Sequence, residues 1–379
     1  MIGTASHGGN VYEICRNYGW SIDEIVDLSA SINPLGPPEG LKEYLLSRFG
    51  EIVHYPDIHN LELIRALAEY HGLPESVFAV GNGSTELLFW LPFALNWRRV
   101  AVVLPVFGEY LRSLENAGVI IRKLRTAWET GFQPTVEQLD ALVHASNPDV
   151  VILTNPGSPS GTLLSGEVLD YIKWSVRKRQ NFWLIDEVFV DFCEENSLKE
   201  LAAREPFLMV IRSLTKFFSL PGLRIGYIVA GADIINKLRL FVPPWSVNIF
   251  AQHAAVFCLK DRSFVDKTLS FFDREKKRVK EKLLEIRGIE SSPFAANYVL
   301  IRLKEEIPLN STELREQMLL RHRILIRDCR NFEGLSDRYV RIALGLSSTN
   351  ELWVRALRDT IGDYLPANSK ENRALGMGN

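Results

Sequence analysis

Cysteine is scarce in this chain. Four residues in 379 (Cys15, Cys193, Cys258 and Cys329) lie too far apart for a disulfide framework or a metal-ligand spacing. A reduced, cytoplasmic setting is expected. Long apolar runs are missing as well. None approaches the ~18 residues of a membrane span, and the first ten residues lack the apolar core of a secretory signal. Neither sign of charge dominates, with 44 Lys and Arg against 46 Asp and Glu. That balance removes the electrostatic case for a nucleic-acid or membrane partner. Internal repeats and low-complexity blocks are also absent.

What is present is a core. Apolar residues make up 46% of the chain, and the length suggests two or more domains. Short β-branched runs at Val77–Val80, Val100–Leu104, Val119–Leu124, Val150–Thr154, Phe182–Ile185, Phe207–Ile211 and Ile225–Val229 read as buried strands. Helical spacing appears between many of them, as over Asn60–His71, Ser84–Leu95 and Glu167–Arg179. The alternation predicts an α/β architecture, a mostly parallel central sheet flanked by helices. After Asn248 the character changes. Long charged helical stretches over Asp261–Ile286 are followed by strands at Ala296–Arg302, Ile324–Arg327 and Tyr339–Ala343 and helices at Ser311–Arg321 and Thr349–Ile361. These predict a smaller α+β C-terminal domain. The expected division is an N-terminal arm over 1–38, a large domain over 39–250, a small domain over 251–365, and a frayed tail over 366–379.

The strand ends carry the chemistry. Gly81-Asn-Gly-Ser-Thr-Glu86 follows a strand and opens a helix, the arrangement that presents backbone N–H groups and hydroxyls to a phosphate; a plain helix cap has the same composition. Phe107, just past a strand end, is placed to cover a flat ligand. Asn155-Pro-Gly-Ser-Pro-Ser-Gly161 is a turn at the edge where open α/β sheets bind ligands. Another strand ends in Asp186-Glu187. The last of this set runs into Ser213-Leu-Thr-Lys216, followed by Arg224. A lysine set among Leu, Phe and hydroxyl residues is unusual, because Lys is mostly exposed. Burial would lower its pKa and make its amine a nucleophile towards carbonyls.

Taken together, these residues meet the needs of pyridoxal 5'-phosphate. That cofactor requires an amine for its aldehyde, a carboxylate for its ring nitrogen, phosphate donors and an aromatic cover. Lys216, Asp186, Ser84 with Thr85, and Phe107 are the candidates, and Ser213 and Arg224 can add bonds to the phosphate. Ser213-x-Thr-Lys216 with Gly222-Leu-Arg224-x-Gly226, and Asp186-Glu-x-Phe189 upstream, resembles the fold-type I pyridoxal-phosphate enzymes over nearly the whole chain. Within them the likeness is to the threonine-phosphate decarboxylases of cobalamin biosynthesis. It is carried by His7-Gly-Gly-Asn10, Asp27-Leu-Ser-Ala-Ser-Ile-Asn-Pro-Leu-Gly36, Tyr55-Pro-Asp57, Pro244-Trp-Ser-Val-Asn248, and Arg327 with Tyr339-x-Arg341. The histidinol-phosphate aminotransferases share the cofactor motifs without the HGGN arm.

The resemblance implies roles. Lys216 and Asp186 are catalytic. Ser84, Thr85, Phe107, Ser158, Asp186, Ser213, Lys216 and Arg224 hold the cofactor, joined by Tyr55 from the partner in a homodimer. His7, Gly8, Ser31, Ser158, Arg327 and Arg341 bind a phosphorylated amino acid. Decarboxylation of O-phospho-L-threonine to (R)-1-aminopropan-2-yl phosphate is the implied reaction. The alternatives are phosphoserine decarboxylation and histidinol-phosphate-type transamination. Three positions depart from the family. Ser31 and Ser158 stand where Asn is usual, and Phe189 stands where aminotransferases often carry Tyr. The two serines enlarge the substrate side of the pocket.

Overall fold

A computed structural model describes residues 7–178 and 181–365. The expected frayed tail lies outside the described residues. Seven strands form the main sheet: Phe78–Asn82 (β1), Arg99–Leu104 (β2), Ile120–Arg125 (β3), Val150–Thr154 (β4), Phe182–Asp186 (β5), Leu208–Ser213 (β6) and Ile225–Ala230 (β7). Their order across the sheet is β1-β7-β6-β5-β4-β2-β3. Only β7 runs against the others, pairing antiparallel with β6 and β1. The neighbours from β6 to β3 are all parallel. The central strands β4, β5 and β6 are apolar and fully enclosed, with Val150, Ile152, Leu184, Ile185 and Val210 at 0 % exposure. Burial on both faces suits β-branched residues without alternation.

A second sheet of four antiparallel strands contains Ile289–Ser291 (β8), Tyr298–Leu303 (β9), Arg327–Asp328 (β10) and Tyr339–Ala343 (β11), in the order β10-β11-β9-β8. Helices Arg262–Leu284, Ser311–His322 and Ser347–Gly362 pack with it. The run predicted as one strand over Ile324–Arg327 is divided. Ile324–Leu325 pairs in parallel with Val26–Asp27, and Arg327–Asp328 pairs with β11. The break at Ile326 lets one stretch tie the N-terminal segment to the small sheet and still aim Arg327 elsewhere. Two helices carried sequence signals that the strand–helix reading passed over. Val136–Ser146 starts with a reciprocal Thr135/Gln138 capping box, and Ile249–Lys260 is capped by Asn248.

The segment from Ser29 to Pro38 is neither helix nor strand, as expected of an arm, yet it is fastened down. The Asn33 side chain donates to the Phe217 carbonyl at 2.8 Å, and its backbone N–H to the Lys216 carbonyl at 3.0 Å. Further upstream, a Cβ on Gly8 would lie 2.1 Å from the Ser29 carbonyl oxygen, so only glycine fits there. The arm therefore lies against the lysine turn rather than free in solvent. Among the described residues no helix is long and apolar enough to cross a membrane, and the four cysteines are unpaired.

Candidate active site

Every site candidate on the main sheet falls at one edge. β1, β2, β4, β5 and β6 deliver Ser84, Phe107, Ser158, Asp186 and Ser213 just beyond their C-terminal ends, and β7, running the other way, starts there with Arg224 just before it. This is the edge at which open α/β sheets bind ligands. The edge opens on a pocket of about 1150 Å3 of empty space, counting its mouth. Its lining includes His7, Gly8, Ser31, Ser84, Thr85, Phe107, Ser158, Asp186, Ser213, Lys216, Arg224, Arg327 and Arg341. Thirteen of the fourteen candidates thus meet in one cavity. The exception is Tyr55, which is 77 % exposed and stacks on Trp245 with ring centroids 4.6 Å apart.

The lysine turn explains its own odd composition. Ser213 caps a one-turn helix, Leu214–Phe217, its hydroxyl accepting from the Thr215 N–H at 3.3 Å. Leu214, Phe217 and Phe218 are buried, each contributing roughly 1.5–3 kcal/mol. They anchor the turn and leave Lys216 half-buried, its amine enclosed by the pocket. Burial lowers the Lys216 pKa to about 8, helped by the charges of Arg341 and Arg224 and opposed by Asp186. Asp186 is 4 % exposed. Burial raises its carboxyl to about 6, against the Val188 N–H, the Tyr110 hydroxyl and Lys216, all of which favour the anion. Burial thus moves both groups towards neutrality from opposite sides, leaving the lysine easier to deprotonate and the aspartate still able to carry its charge at pH 7.

One end of the pocket is an anion cradle. Ser84 opens the 11-residue helix Ser84–Ala94, whose N-cap residue Gly83 supplies no side-chain cap to its first N–H groups. Gly226 faces Gly81 across β7 and β1. A Cβ on Gly226 would lie 2.2 Å from the Ser84 backbone nitrogen, and one on Gly83 would lie 2.5 Å from an Arg224 guanidinium nitrogen. Both glycines keep the cradle open. The Ser213 and Thr215 hydroxyls, 2.7 Å apart, line it with Arg224. These features fit the phosphate of pyridoxal 5'-phosphate, and Lys216 and Asp186 fit its aldehyde and its ring nitrogen.

The other end is built by the small sheet. Arg327 on β10 and Arg341 on β11 are directly opposed in register. Both guanidinium groups belong to the pocket wall, at 6 % and 9 % residue exposure. Like charges set directly across two strands destabilise a sheet. Burial accordingly pushes Arg327 down to about 10. Arg327 donates to Asn331 Oδ1 at 2.7 Å and lies 5.3 Å from the Phe332 ring centroid. Arg341 donates to Ser158 Oγ at 3.4 Å and to the Ser29 carbonyl at 3.3 Å; its Nε has no partner among the described residues. The same is true of Ser31 Oγ, on a residue only 1 % exposed. His7 closes this side, its Nε2 2.9 Å from Glu109 Oε1 and its ring 5.5 Å from that of Phe107.

Sequence reasoning missed several lining residues. Thr215 stands inside the quoted lysine motif, where its hydroxyl was a usable signal. Tyr110 lies in the first turn of the helix Gly108–Asn116 that Phe107 precedes, close enough in sequence to share its pocket. Asn331 and Phe332 lie on a loop between two strands and carry no pattern of their own. Behind the site, Arg212 is fully buried and paired with Asp191 at 3.0 Å and with Glu194, which fixes the strand end from which Ser213 projects.

The chain as a whole is similar to known proteins. Residues 23–357 match the model of a family described as aminotransferase class I and II. Threonine-phosphate decarboxylase of Salmonella typhimurium is 36% identical over 368 residues, 96% of this chain and 98% of that protein. Among solved structures, L-threonine-O-3-phosphate decarboxylase from Porphyromonas gingivalis superposes with a TM-score of 0.79 at 27% identity, covering 89% of this chain and 100% of that one. The histidinol-phosphate aminotransferase from Clostridium acetobutylicum gives 0.82 at 29% identity, with the same two coverages. The chain belongs to the class I and II aminotransferase family.

Proposed function

We propose that this protein is a pyridoxal-phosphate-dependent carboxy-lyase that removes the carboxylate of O-phospho-L-threonine, giving (R)-1-aminopropan-2-yl phosphate for cobalamin biosynthesis. The observation that carries the proposal is the opposed pair Arg327 and Arg341 across the pocket from Lys216. Two cations that share a register position need an anionic ligand between them. A substrate with both a carboxylate and a phosphate supplies enough negative charge for two. The likeness to the Salmonella decarboxylase supports decarboxylation over transamination.

Bound there, the cofactor acts as an electron sink for the pair left behind when a bond to the substrate's α-carbon breaks. Lys216 would hold its aldehyde carbon, Asp186 its ring nitrogen, Phe107 and Ser158 its ring, and Ser84, Thr85, Ser213 and Arg224 its phosphate. Arg327 and Arg341 bind and orient the substrate's anions, with Ser31, Ser158, His7 and Gly8 enclosing it. As carbon dioxide leaves, its bonding electrons stay on the α-carbon, which must then gain a proton. With its pKa near 8, Lys216 can donate that proton as an ammonium and is not locked in either state near neutrality. The arm and Phe107 exclude water from the carbanionic carbon.

The test is direct. Purified holoenzyme given O-phospho-L-threonine should release carbon dioxide and the phosphorylated aminopropanol. No release, with the cofactor converted to its amine form, would instead make it an aminotransferase. The space left by Ser31 and Ser158 makes O-phospho-L-serine the competitor to include, judged by relative kcat/KM.

The proposal includes a homodimer working in the cytoplasm, the large and small units dividing at about residue 250. Tyr55 stands among exposed Leu46, Phe49, Ile52, Val53 and Leu61, with Trp245 against it. An apolar patch of this kind marks an interface. A second copy covering it would carry Tyr55 to its partner's cofactor phosphate. Sedimentation at micromolar concentration should give twice the chain mass, and a Tyr55→Ala variant should stay dimeric yet lose cofactor affinity. A monomer that keeps full cofactor affinity would refute the arrangement.

A further inference from the structure

Arg341 is loosely held by its own hydrogen bonds. Its contacts to Ser158 Oγ and the Ser29 carbonyl are 3.4 and 3.3 Å, at the long end of the range, and its Nε is unpaired among the described residues. Beneath it lies Tyr298, the first residue of β9, at 0 % exposure. The guanidinium carbon is 4.9 Å from the Tyr298 ring centroid. The Tyr298 hydroxyl donates to the carbonyl of Gly157, the residue before Ser158, at 2.6 Å. The edge of the ring meets Phe189, 4.9 Å away at 76°.

We infer that Tyr298 is a positioning residue for the substrate-binding arginine: its ring forms the platform for Arg341, and its hydroxyl, bonded to the Gly157 carbonyl, holds the loop that carries Ser158. The inference rests on Arg341 binding a substrate anion, as proposed above. Arg341 can only donate, so Ser158 Oγ accepts from it, while the Tyr298 hydroxyl donates to the Gly157 carbonyl one residue earlier. Burial keeps the tyrosine hydroxyl protonated, so it stays a donor throughout the working pH range. The arrangement suits the shorter Ser158. A serine cannot reach Arg341 closely, and the aromatic face below supplies the restraint that a long contact lacks. Tyr298 touches neither cofactor nor substrate and acts through Arg341.

Two variants separate ring from hydroxyl. Tyr298→Phe removes the hydroxyl that holds the Gly157 carbonyl beside Ser158 and should raise KM for O-phospho-L-threonine about 3- to 10-fold, the worth of one hydrogen bond. Tyr298→Leu removes the platform and should raise KM about 10-fold or more. Cofactor affinity should change less than about twofold in the Phe variant, since no phosphate-holding group is touched. In an Arg341→Ala background, Tyr298→Phe should add nothing, because coupled residues are not additive.

A second readout needs neither substrate nor turnover. Lys216 in the apoprotein faces Arg341, Arg224 and Asp186. Competitive acetylation of its amine across pH, read by peptide mass spectrometry, should show a midpoint that rises in Arg341→Ala and rises part of the way in Tyr298→Phe. If wild-type enzyme releases no carbon dioxide, the substrate reading fails and this measurement still decides the role of Tyr298. An unchanged midpoint and KM in Tyr298→Phe, or additive effects with Arg341→Ala, would overturn the inference. Should Tyr298→Leu fail to fold, the Phe variant carries the test alone.

Discussion

A Lys216→Ala variant is expected to bind pyridoxal 5'-phosphate only reversibly and to lose the visible absorbance band of the lysine-linked cofactor. Turnover should fall by at least about 10³-fold, since covalent capture and α-carbon protonation are lost together. The neighbourhood of Lys216 makes the prediction specific. With a pKa of about 8, about one amine in ten is neutral at pH 7, against about three in ten thousand for an ordinary lysine. The neutral amine attacks the aldehyde, so covalent uptake of cofactor by the apoprotein should quicken as pH rises and level off above about 8. Lys216→Arg keeps the charge and cannot shed it. That variant should be as inactive as the alanine variant at every pH. A visible band or measurable uptake in either variant would place the nucleophile elsewhere, and among the described residues no other lysine lines the pocket.

The lysine was legible in the sequence because several levels agreed on it. Leu214, Phe217 and Phe218 force burial of their turn, and Asp186, Ser84 and Arg224 close neighbouring strands of one sheet edge. Strand ends are marked by apolar runs stopping at Gly, Pro or a hydroxyl, so cofactor contacts built on them can be read in order. The small-sheet half was harder to read. Arg327 and Arg341 were recognisable as strand arginines, yet their facing register depends on the break at Ile326 that shifts β10 away from Ile324–Leu325. No local pattern encodes that break. Tyr298 resembles any buried aromatic at a strand start, and its role emerges only when Gly157, Phe189 and Arg341 converge on it from other parts of the chain. The N-terminal arm is the intermediate case. His7 and Gly8 looked like flexible backbone, and what fastens them is the approach to Ser29 and Glu109, at long range in sequence.

Removing the other cation of the pocket should divide binding from cofactor chemistry. In Arg341→Ala, KM for O-phospho-L-threonine should rise about 10²-fold or more, in keeping with the 2–5 kcal/mol cost of truncating one partner of a buried charge pair. Cofactor affinity should hold, because the phosphate cradle of Ser84, Ser213, Thr215 and Arg224 is at the opposite end. Arg327→Ala should also weaken substrate binding, and it removes the guanidinium from beside Asn331 and the face of Phe332, so added solvent in the pocket should lower kcat as well. Arg341→Lys separates charge from geometry. A lysine retains the positive charge that holds the Lys216 pKa down, so the pH midpoint for cofactor uptake should stay near about 8, whereas Arg341→Ala should move it upward towards that of an ordinary lysine. The same lysine cannot offer a planar fork to a carboxylate or phosphate, nor stack as well on Tyr298. KM should therefore remain raised in Arg341→Lys while the uptake profile returns to that of the wild type. If KM recovered with the profile, Arg341 would be acting as a point charge on Lys216 and not as the group that grips the substrate.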